Sequence, residues 1–404
     1  MSEVSISDQT ISRKTPRLLF IDMARSLAIL LMIEGHFTGT ALSHDYRKKE
    51  FLLYNIWHNI HGLTSPLFFT LTGVIFIYLL SANNSSPYFK NIRVKKGFKR
   101  VLQLLFWGYL IQLDLWSIIK SFYYGNEFSL EWLYAFHVLQ SIGVGILFLL
   151  LIYGIYKWIN IGALYWYYLI SALILFVGYG YLENYIQLDK QAIYDGLQNK
   201  PNYFPNNAPS FIQNMFYGKF SDFSFLRYSG YTILGGMVGG IIHTYENKTK
   251  EWWFGTIFLV AGIIISIVIQ PVFKSVDNFT EWIGITKKGI FELNVTAFFR
   301  FGQVISVLGI FILIDKYVDV KAKLHLKFGQ NTFSIYVVHV IILYGGIFGF
   351  GLKPFFFNEN LDLYSSVCIS ASAIVLFTLM VSKIEFLEKK YFAFISLIKL
   401  KKLK

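Results

Sequence analysis

Four side chains suited to chemistry lie in one hydrophobic stretch early in the chain: Asp22, Arg25, Glu34 and His36. A charged side chain costs roughly 2.5–3.5 kcal/mol at the centre of a membrane helix, so we expect these residues to have a structural or functional role that offsets this cost. At 100° per residue, Asp22, Arg25 and His36 share one helix face, about 16 Å long from Arg25 to His36. Glu34 lies on a different face of the same helix. The face indicates either a structural Asp22–Arg25 pair with a histidine at the headgroup level, or a site where histidine moves a proton near neutral pH.

Two more histidines, His58 and His61, come just before a helix that Pro66 opens, since proline is tolerated in the first turn of a helix. They precede the second hydrophobic segment and His36 ends the first, so all three histidines should lie at the same membrane face. Histidines at a helix mouth can bind a metal, but no carboxylate or thiol has the spacing of a zinc site. We therefore expect no metal.

A third motif opens a later hydrophobic segment with Asn331, Ser334 and Tyr336, and places His339 about two turns further along. These side chains either belong to the same site or simply bond neighbouring helices. Single embedded or interfacial charges stand elsewhere and need partners that the sequence does not identify: Asp114, Arg227 and Arg300.

Composition defines the class of protein. The chain has 404 residues, of which 55% are hydrophobic and 15% charged, so it is an all-α polytopic membrane protein rather than a soluble one. Its single cysteine, Cys368, excludes an intramolecular disulfide. The formal net charge of +13 comes from basic loops that orient a membrane protein, so we expect no nucleic-acid partner.

About ten segments have the length and hydropathy of transmembrane helices: 17–39, 60–82, 99–119, 136–156, 160–182, 223–243, 253–272, 290–314, 330–351 and 361–383. The excess of Lys and Arg on alternate connections predicts that both termini are cytoplasmic.

The predicted organisation has a cytoplasmic N-terminal segment at 1–16, a ten-helix domain at 17–383 and a basic cytoplasmic tail at 384–404. The tail mixes lysines with apolar residues and should lie on the inner leaflet. The long extracytoplasmic loop at 183–222 is rich in aromatic and amide side chains. Such a loop either binds a sugar or forms an aromatic belt or lid at the interface.

Four motifs, taken in order, resemble those of the large transmembrane acyltransferase superfamily. They are the Asp22–x–x–Arg25–x10–His36 helix, the histidine before Pro66-Leu67-Phe68-Phe69, the Val138-Leu139-Gln140 segment, and the run from Gly329 to His339. The last two are similar to the heparan-alpha-glucosaminide N-acetyltransferase branch. His36 is more similar to the acyltransferase 3 branch, and Ser141 stands where the former branch has arginine.

The resemblance implies transfer of an acetyl or other acyl group from cytoplasmic acyl-CoA to a hydroxyl or amine of an extracytoplasmic glycan. It implies that a histidine is the general base or a covalent acyl carrier, with His61 favoured by its distance to Pro66 and His36 and His58 as the alternatives.

The same resemblance assigns roles to other residues. Asp22 and Arg25 would line the path of the donor. Four basic residues would hold the coenzyme A phosphates: Lys96, Lys99 and Arg100, with Lys95 beside them. The alternative is that these residues only orient the protein in the membrane. Polar residues of the third motif would bind substrate or stabilise the oxyanion: Asn331, Tyr336 and His339.

Two other functions compete with this one. A transporter or flippase of a lipid-linked or small polar substrate would use the polar face of the first helix as a path, although we find no inverted repeat. A silent membrane scaffold would not need clustered histidines. The expected partners are membrane lipid, acyl-CoA and the carbohydrate acceptor, in a bacterial cytoplasmic membrane, with the choice between monomer and homodimer left open.

Overall fold

The computed structural model describes residues 18–48, 50–82, 86–125, 131–285, 289–319 and 323–401. Regular structure in these ranges is helical, apart from bridges between single residues. The all-α class is therefore confirmed for the described part of the chain. The predicted cytoplasmic segment 1–16 lies outside it.

The described ranges form fourteen α-helices. They are α1 Leu19–Ala41, α2 Leu52–His61, α3 Thr64–Ser81, α4 Ile92–Leu110, α5 Leu115–Tyr124, α6 Val138–Ile159, α7 Leu164–Tyr194, α8 Ser210–Phe216, α9 Phe225–Thr244, α10 Trp252–Trp282, α11 Val295–Tyr317, α12 Lys323–Gln330, α13 Thr332–Tyr344 and α14 Leu363–Lys401.

Each of the ten predicted segments falls mainly on one of these helices. Six stretches of the described chain are long and apolar enough to cross a membrane: Leu52–Ser81, Glu131–Ile159, Leu164–Tyr194, Trp252–Trp282, Glu292–Tyr317 and Leu363–Lys383. The α13 helix is apolar but has only 13 residues, and α1 carries the charged face discussed above. The protein is thus an integral membrane protein, whereas ten spans and cytoplasmic termini stay predictions.

Some predicted boundaries are wrong. The segment 99–119 is not one helix, because α4 ends at Leu110 and the Asp114 carboxylate begins α5 by accepting a hydrogen bond from the backbone N–H of Ser117 at 2.9 Å. The loop predicted at 183–222 begins later, because α7 continues to Tyr194. Residues 384–401, predicted as a separate tail, continue α14 without a break.

Glycines set the central helix contact, between α3 and α9. A Cβ atom on Gly73 would overlap the Thr232 carbonyl, and a Cβ on Gly235 or Gly239 would overlap carbonyls of α3. Small residues let two backbones come this close, which is how helices gain packing energy without a hydrophobic driving force in lipid. The α9 helix also packs against α6 and α7.

The α1 helix packs against α3, α11, α12, α13 and α14, and most of its residues are buried. Its register is fixed near Ser26, whose hydroxyl accepts a hydrogen bond from the Gly329 N–H at 2.9 Å. The polar face of α1 therefore points into the protein, toward α3 and α13, rather than toward lipid.

Candidate active site

Arg25, in the first half of α1, has polar partners on α1 and α13. Its Nη2 donates a hydrogen bond to the Thr332 hydroxyl at 2.9 Å, and its Nη1 lies 4.0 Å from a carboxylate oxygen of Asp22. Thr332 in turn donates to the Gly329 carbonyl at 2.8 Å. The predicted Asp22–Arg25 pair therefore exists, and it directs the guanidinium toward α13 and a neighbouring cavity.

That cavity, which we call the basic cavity, has a volume of about 290 Å³ and lies between α1, α3, α4, α6 and α13. Its walls are largely apolar, but four cations line it: Arg25, Arg93, Lys96 and Arg100. The three from α4 are spaced at three and four residues, so they share one helix face. The basic cavity can therefore bind an anionic group at its cations and an apolar group against its walls.

A second space, the histidine chamber, has a volume of about 170 Å³ and is lined by His36, His61, Thr64 and Ser65 among apolar residues. Two side chains, Phe68 and Tyr336, line both the histidine chamber and the basic cavity. They form the partition between the two spaces. The cations and the histidines therefore lie on opposite sides of this partition.

His61 is fixed from two sides at the end of α2. Its Nδ1 and Cε1 face α1 so closely that a Cβ atom on Gly35 would overlap them, and the Leu31 carbonyl interacts with the ring there. Trp57 stacks on the other face, with centroids 5.4 Å apart and an interplanar angle of 5°. The indole N–H of Trp57 donates to Glu34 at 2.8 Å, so Glu34 orients the tryptophan that orients His61.

His36 belongs to a group that extends into α13. Its Nδ1 is 2.8 Å from the Tyr344 hydroxyl, and its ring centroid lies 5.3 Å from that of His339 and 6.2 Å from that of His61. The His339 side chain is 1% exposed, and its Nδ1 has no hydrogen-bond partner within the described ranges. Three histidines from three helices therefore meet, although the sequence left open whether His339 belongs to the same site.

Other predicted residues lie outside the two cavities. His58 is exposed and stacks on Tyr54 at 5.7 Å, one turn away from the histidine chamber. Asn331 donates from its amide to the Lys327 carbonyl at 2.9 Å and so acts at the beginning of α13. Neither Lys99 nor the Asp22 carboxylate lines the basic cavity. Their predicted roles gain no support from this geometry.

The sequence analysis gave no role in the site to several residues: Arg93, Trp57, Phe68, Tyr344 and Glu34, which it set aside as lying on another face of the first helix. Arg93 could have been found, because it precedes Lys96 and Arg100 by three and seven residues on the same helix face. Tyr344 reaches His36 only because α13 packs on α1, so nothing in the local sequence identifies it.

A histidine–carboxylate contact lies at the rim of the histidine chamber. His137 Nδ1 and a carboxylate oxygen of Asp222 are 3.1 Å apart, and the residues that follow them, Val138 and Phe223, both line the chamber. The hydrogen bond from His137 lowers the pKa of the Asp222 carboxyl. The pair ties the beginning of α6 to the connection before α9.

Metal binding has no candidate in the described ranges, where no group of three or more His, Cys, Asp or Glu side chains is arranged to hold an ion. That the protein works without a metal stays a prediction.

The single charges have neutral partners. Asp114 accepts from Ser117, and Arg227 donates to the Tyr179 hydroxyl at 3.4 Å. Arg300 donates to the Asn59 carbonyl at 2.7 Å and to the Gln303 amide oxygen at 2.9 Å. Hydrogen bonds of this kind reduce the cost of placing a charge near lipid without cancelling the charge.

The fold and the two cavities define a helical membrane protein with a buried, polar site. A comparison with protein-family models identifies the family: residues 18–381 match the acyltransferase 3 family, described as an acyltransferase domain. The chain therefore belongs to the acyltransferase 3 family of membrane acyltransferases. No curated protein matches the chain. The resemblance to the heparan-alpha-glucosaminide N-acetyltransferase branch is not confirmed.

Proposed function

We propose that this membrane acyltransferase takes an acyl group, most simply acetyl, from acyl-CoA in the basic cavity and transfers it to a hydroxyl or amine of a glycan in the histidine chamber. The observation that carries the proposal is the arrangement of the two spaces in series, with Phe68 and Tyr336 common to both. A donor and an acceptor that enter from opposite sides would meet at this partition.

The basic cavity suits coenzyme A in charge. Arg25, Arg93, Lys96 and Arg100 can make charge-assisted hydrogen bonds to phosphates at one end. Lys96 and Arg100 were predicted for this role, and Arg93 takes the place that Lys99 had in that prediction.

The length of the path also suits coenzyme A. The arm between its phosphates and its sulfur has the length of about four extended residues, roughly 14 Å. The rise of α1 from Arg25 to His36 is about 16 Å. A thioester carbonyl at the end of the arm would therefore reach the partition beside the histidines.

In the chemical step, the acceptor oxygen or nitrogen attacks the thioester carbonyl carbon. The new bond to that carbon forms as the C–S bond breaks. The proton of the acceptor passes to a histidine, which then returns it to the departing coenzyme A thiolate. Tyr336 lies at the partition, where its hydroxyl can donate to the oxyanion.

His61 is the better candidate for the general base. Its ring lines the histidine chamber and is held between α1 and Trp57, whereas its buried Nδ1 has no hydrogen-bond partner within the described ranges. His36 is bonded to Tyr344 and lies between the other two rings, so we assign it to position them. An acyl-histidine intermediate is the competing route, and trapped acyl-enzyme after rapid quenching would identify it.

The proposed orientation places the basic cavity on the cytoplasmic side, where acyl-CoA is made, and the histidine chamber on the other side. This requires the cytoplasmic termini and the bacterial inner-membrane location predicted above. Positively charged connections near the beginning of α4 support the orientation.

The test uses protein in liposomes, with labelled acetyl-CoA on one side and glycans on the other. We expect label on the glycan and release of coenzyme A. His61→Ala should abolish transfer while acetyl-CoA still binds, whereas the matched variant His58→Ala, one turn away, should remain active. The reverse pattern would show that the assignment is wrong by one turn.

A transporter would give a different result in the same liposomes. It would move an unmodified substrate across the membrane without release of coenzyme A. If a folded preparation releases no coenzyme A with any acyl donor and acceptor, the acyltransferase proposal fails.

A further inference from the structure

A groove lies on the surface between α10, α11 and the turn that joins α2 to α3. It has a volume of about 400 Å³ and includes Ile60, Leu63, Ile263 and Ile267. The side chains of Ile60, Ile263 and Ile267 are 50%, 45% and 70% exposed. Because α10 is a candidate membrane span, a groove with these walls opens sideways into the lipid rather than into water.

The groove and the histidine chamber share one wall. Asn59, Ile60 and Leu63 face the groove, whereas His61 and Thr64 from the same turn face the chamber. A molecule held in the groove therefore lies within one helical turn of the proposed base.

Arg300 lies behind this wall, near the beginning of α11. Its Nη1 binds the Asn59 carbonyl and the Gln303 side chain, and both of these residues line the groove. Its Nη2 packs against Gly62, where a Cβ atom would be about 2.5 Å away. No carboxylate within the described ranges pairs with Arg300, which does not itself line the groove, so an unpaired cation lies directly behind the groove wall.

We propose that this groove holds the hydrocarbon chain of a lipid-linked acceptor, a sugar carried on a phosphate, and that Arg300 binds the phosphate. The inference rests on the proposed function and names the class of its acceptor. An apolar groove selects a hydrocarbon chain, and the guanidinium N–H groups beside Gly62, which has no side chain to cover them, match phosphate oxygens. The sugar beyond the phosphate would then extend over the α2–α3 turn to His61.

This arrangement fixes the position from which the acceptor's sugar enters the histidine chamber. The chain anchors the substrate in the plane of the membrane, so its sugar reaches the chamber at a high effective concentration. Binding of the phosphate to Arg300 fixes how far the sugar extends toward the histidine chamber. A water-soluble glycan of the same structure would lack both contacts.

The first test compares acyl transfer to a sugar on a long-chain polyprenyl phosphate with transfer to the same sugar in soluble form. We expect wild-type protein to prefer the lipid-borne acceptor by at least tenfold. Ile263→Trp should fill the groove and reduce this ratio at least tenfold. Ile264→Trp is the matched control, since Ile264 is similarly exposed on α10 but does not line the groove, and its ratio should equal that of wild type.

The outcomes separate the two proposals. If neither acceptor is acylated, the proposed function fails. If the soluble sugar is acylated but the ratio is near one, or if Ile263→Trp leaves the ratio unchanged, the groove inference fails and the proposed function stands.

A second measurement compares three lipids on the wild-type protein, so it does not depend on the folding of a groove variant. Native mass spectrometry of the wild-type protein in detergent would compare retention of polyprenyl phosphate, the matching polyprenol and phosphatidylglycerol. We expect the polyprenyl phosphate to be retained at least tenfold better than either competitor, and Arg300→Gln to reduce the difference from polyprenol. Equal retention of polyprenol would overturn the role of Arg300. Equal retention of phosphatidylglycerol would indicate a general phospholipid site and overturn the acceptor assignment.

Discussion

Gly35→Ala is the substitution that tests the placement of His61 most directly. The added methyl group would overlap Nδ1 and Cε1 of the His61 ring. An ordinary contact at this point is about 3.5 Å, so the ring must retreat by more than about 1 Å. Trp57 stacks on the ring, so His61 cannot move without disturbing the orientation that the proposed base requires.

A misplacement of about 1 Å can cost a factor of about 100 in rate, which corresponds to about 2.7 kcal/mol in the activation free energy. Alanine also favours a helix over glycine by about 1 kcal/mol, so helix propensity cannot explain a loss of activity. We expect kcat for acyl transfer to fall about 100-fold, with a much smaller change in KM for acyl-CoA, because the basic cavity is untouched.

The matched control is Gly39→Ala, one turn further along α1. Its methyl group would lie 3.9 Å from Cη2 of Trp57, which is an ordinary contact. This variant should keep its rate within about twofold, since nothing needs to move. A wild-type kcat in well-folded Gly35→Ala protein would refute the reasoning, since His61 would then not need its observed position.

Three further predictions follow from the cavities and the helix contacts. Arg93→Gln should raise KM for acyl-CoA about tenfold, the loss of about 1.4 kcal/mol of binding, whereas Lys99→Gln should have little effect because Lys99 does not line the basic cavity. Tyr344→Phe removes the hydroxyl bonded to the first-helix histidine and should reduce kcat about tenfold without changing binding of acyl-CoA. Gly73→Ala should lower the thermal midpoint by separating α3 from α9, at a cost of about 1–3 kcal/mol, whereas Gly178→Ala, whose methyl group has room, should not.

Each of these has a contrary result. An effect of Lys99→Gln equal to that of Arg93→Gln would mean that general positive charge, not the lining of the basic cavity, binds the donor. An unchanged rate for Tyr344→Phe would mean that the hydrogen bond between Tyr344 and His36 has no part in positioning the base. An unchanged midpoint for Gly73→Ala would mean that the backbone contact contributes nothing to stability.

The helices could be predicted because a membrane leaves a strong signal in the sequence. About twenty apolar residues in a row favour a helix in lipid, so every predicted segment except 99–119, which two helices share, lies mainly on one helix. The predicted ends of the helices were less accurate than their presence. Polar residues such as Asp114 decide where a helix begins through local hydrogen bonds, and α7 continues past the apolar stretch because helix formation does not stop at the membrane surface.

The site could be predicted in part. Arg25 and His36 share a helix, so helix periodicity alone related them, and the motif around Pro66 placed His61. The choice between His58 and His61 needed the structure, because both precede Pro66 and only packing against Gly35 brings one of them inside. Tyr344 depends on how α13 crosses α1, which no local pattern encodes.

The glycine contact between α3 and α9 has a mechanical consequence. Backbones that interlock at van der Waals distance cannot slide without lifting apart, so these two helices form a fixed frame. One wall of the histidine chamber, from Thr64 to Phe69, is built on that frame. The other chamber walls, from α1, α6 and α13, lie outside this interlocked pair, so they are the parts of the site whose position the glycine contact does not fix.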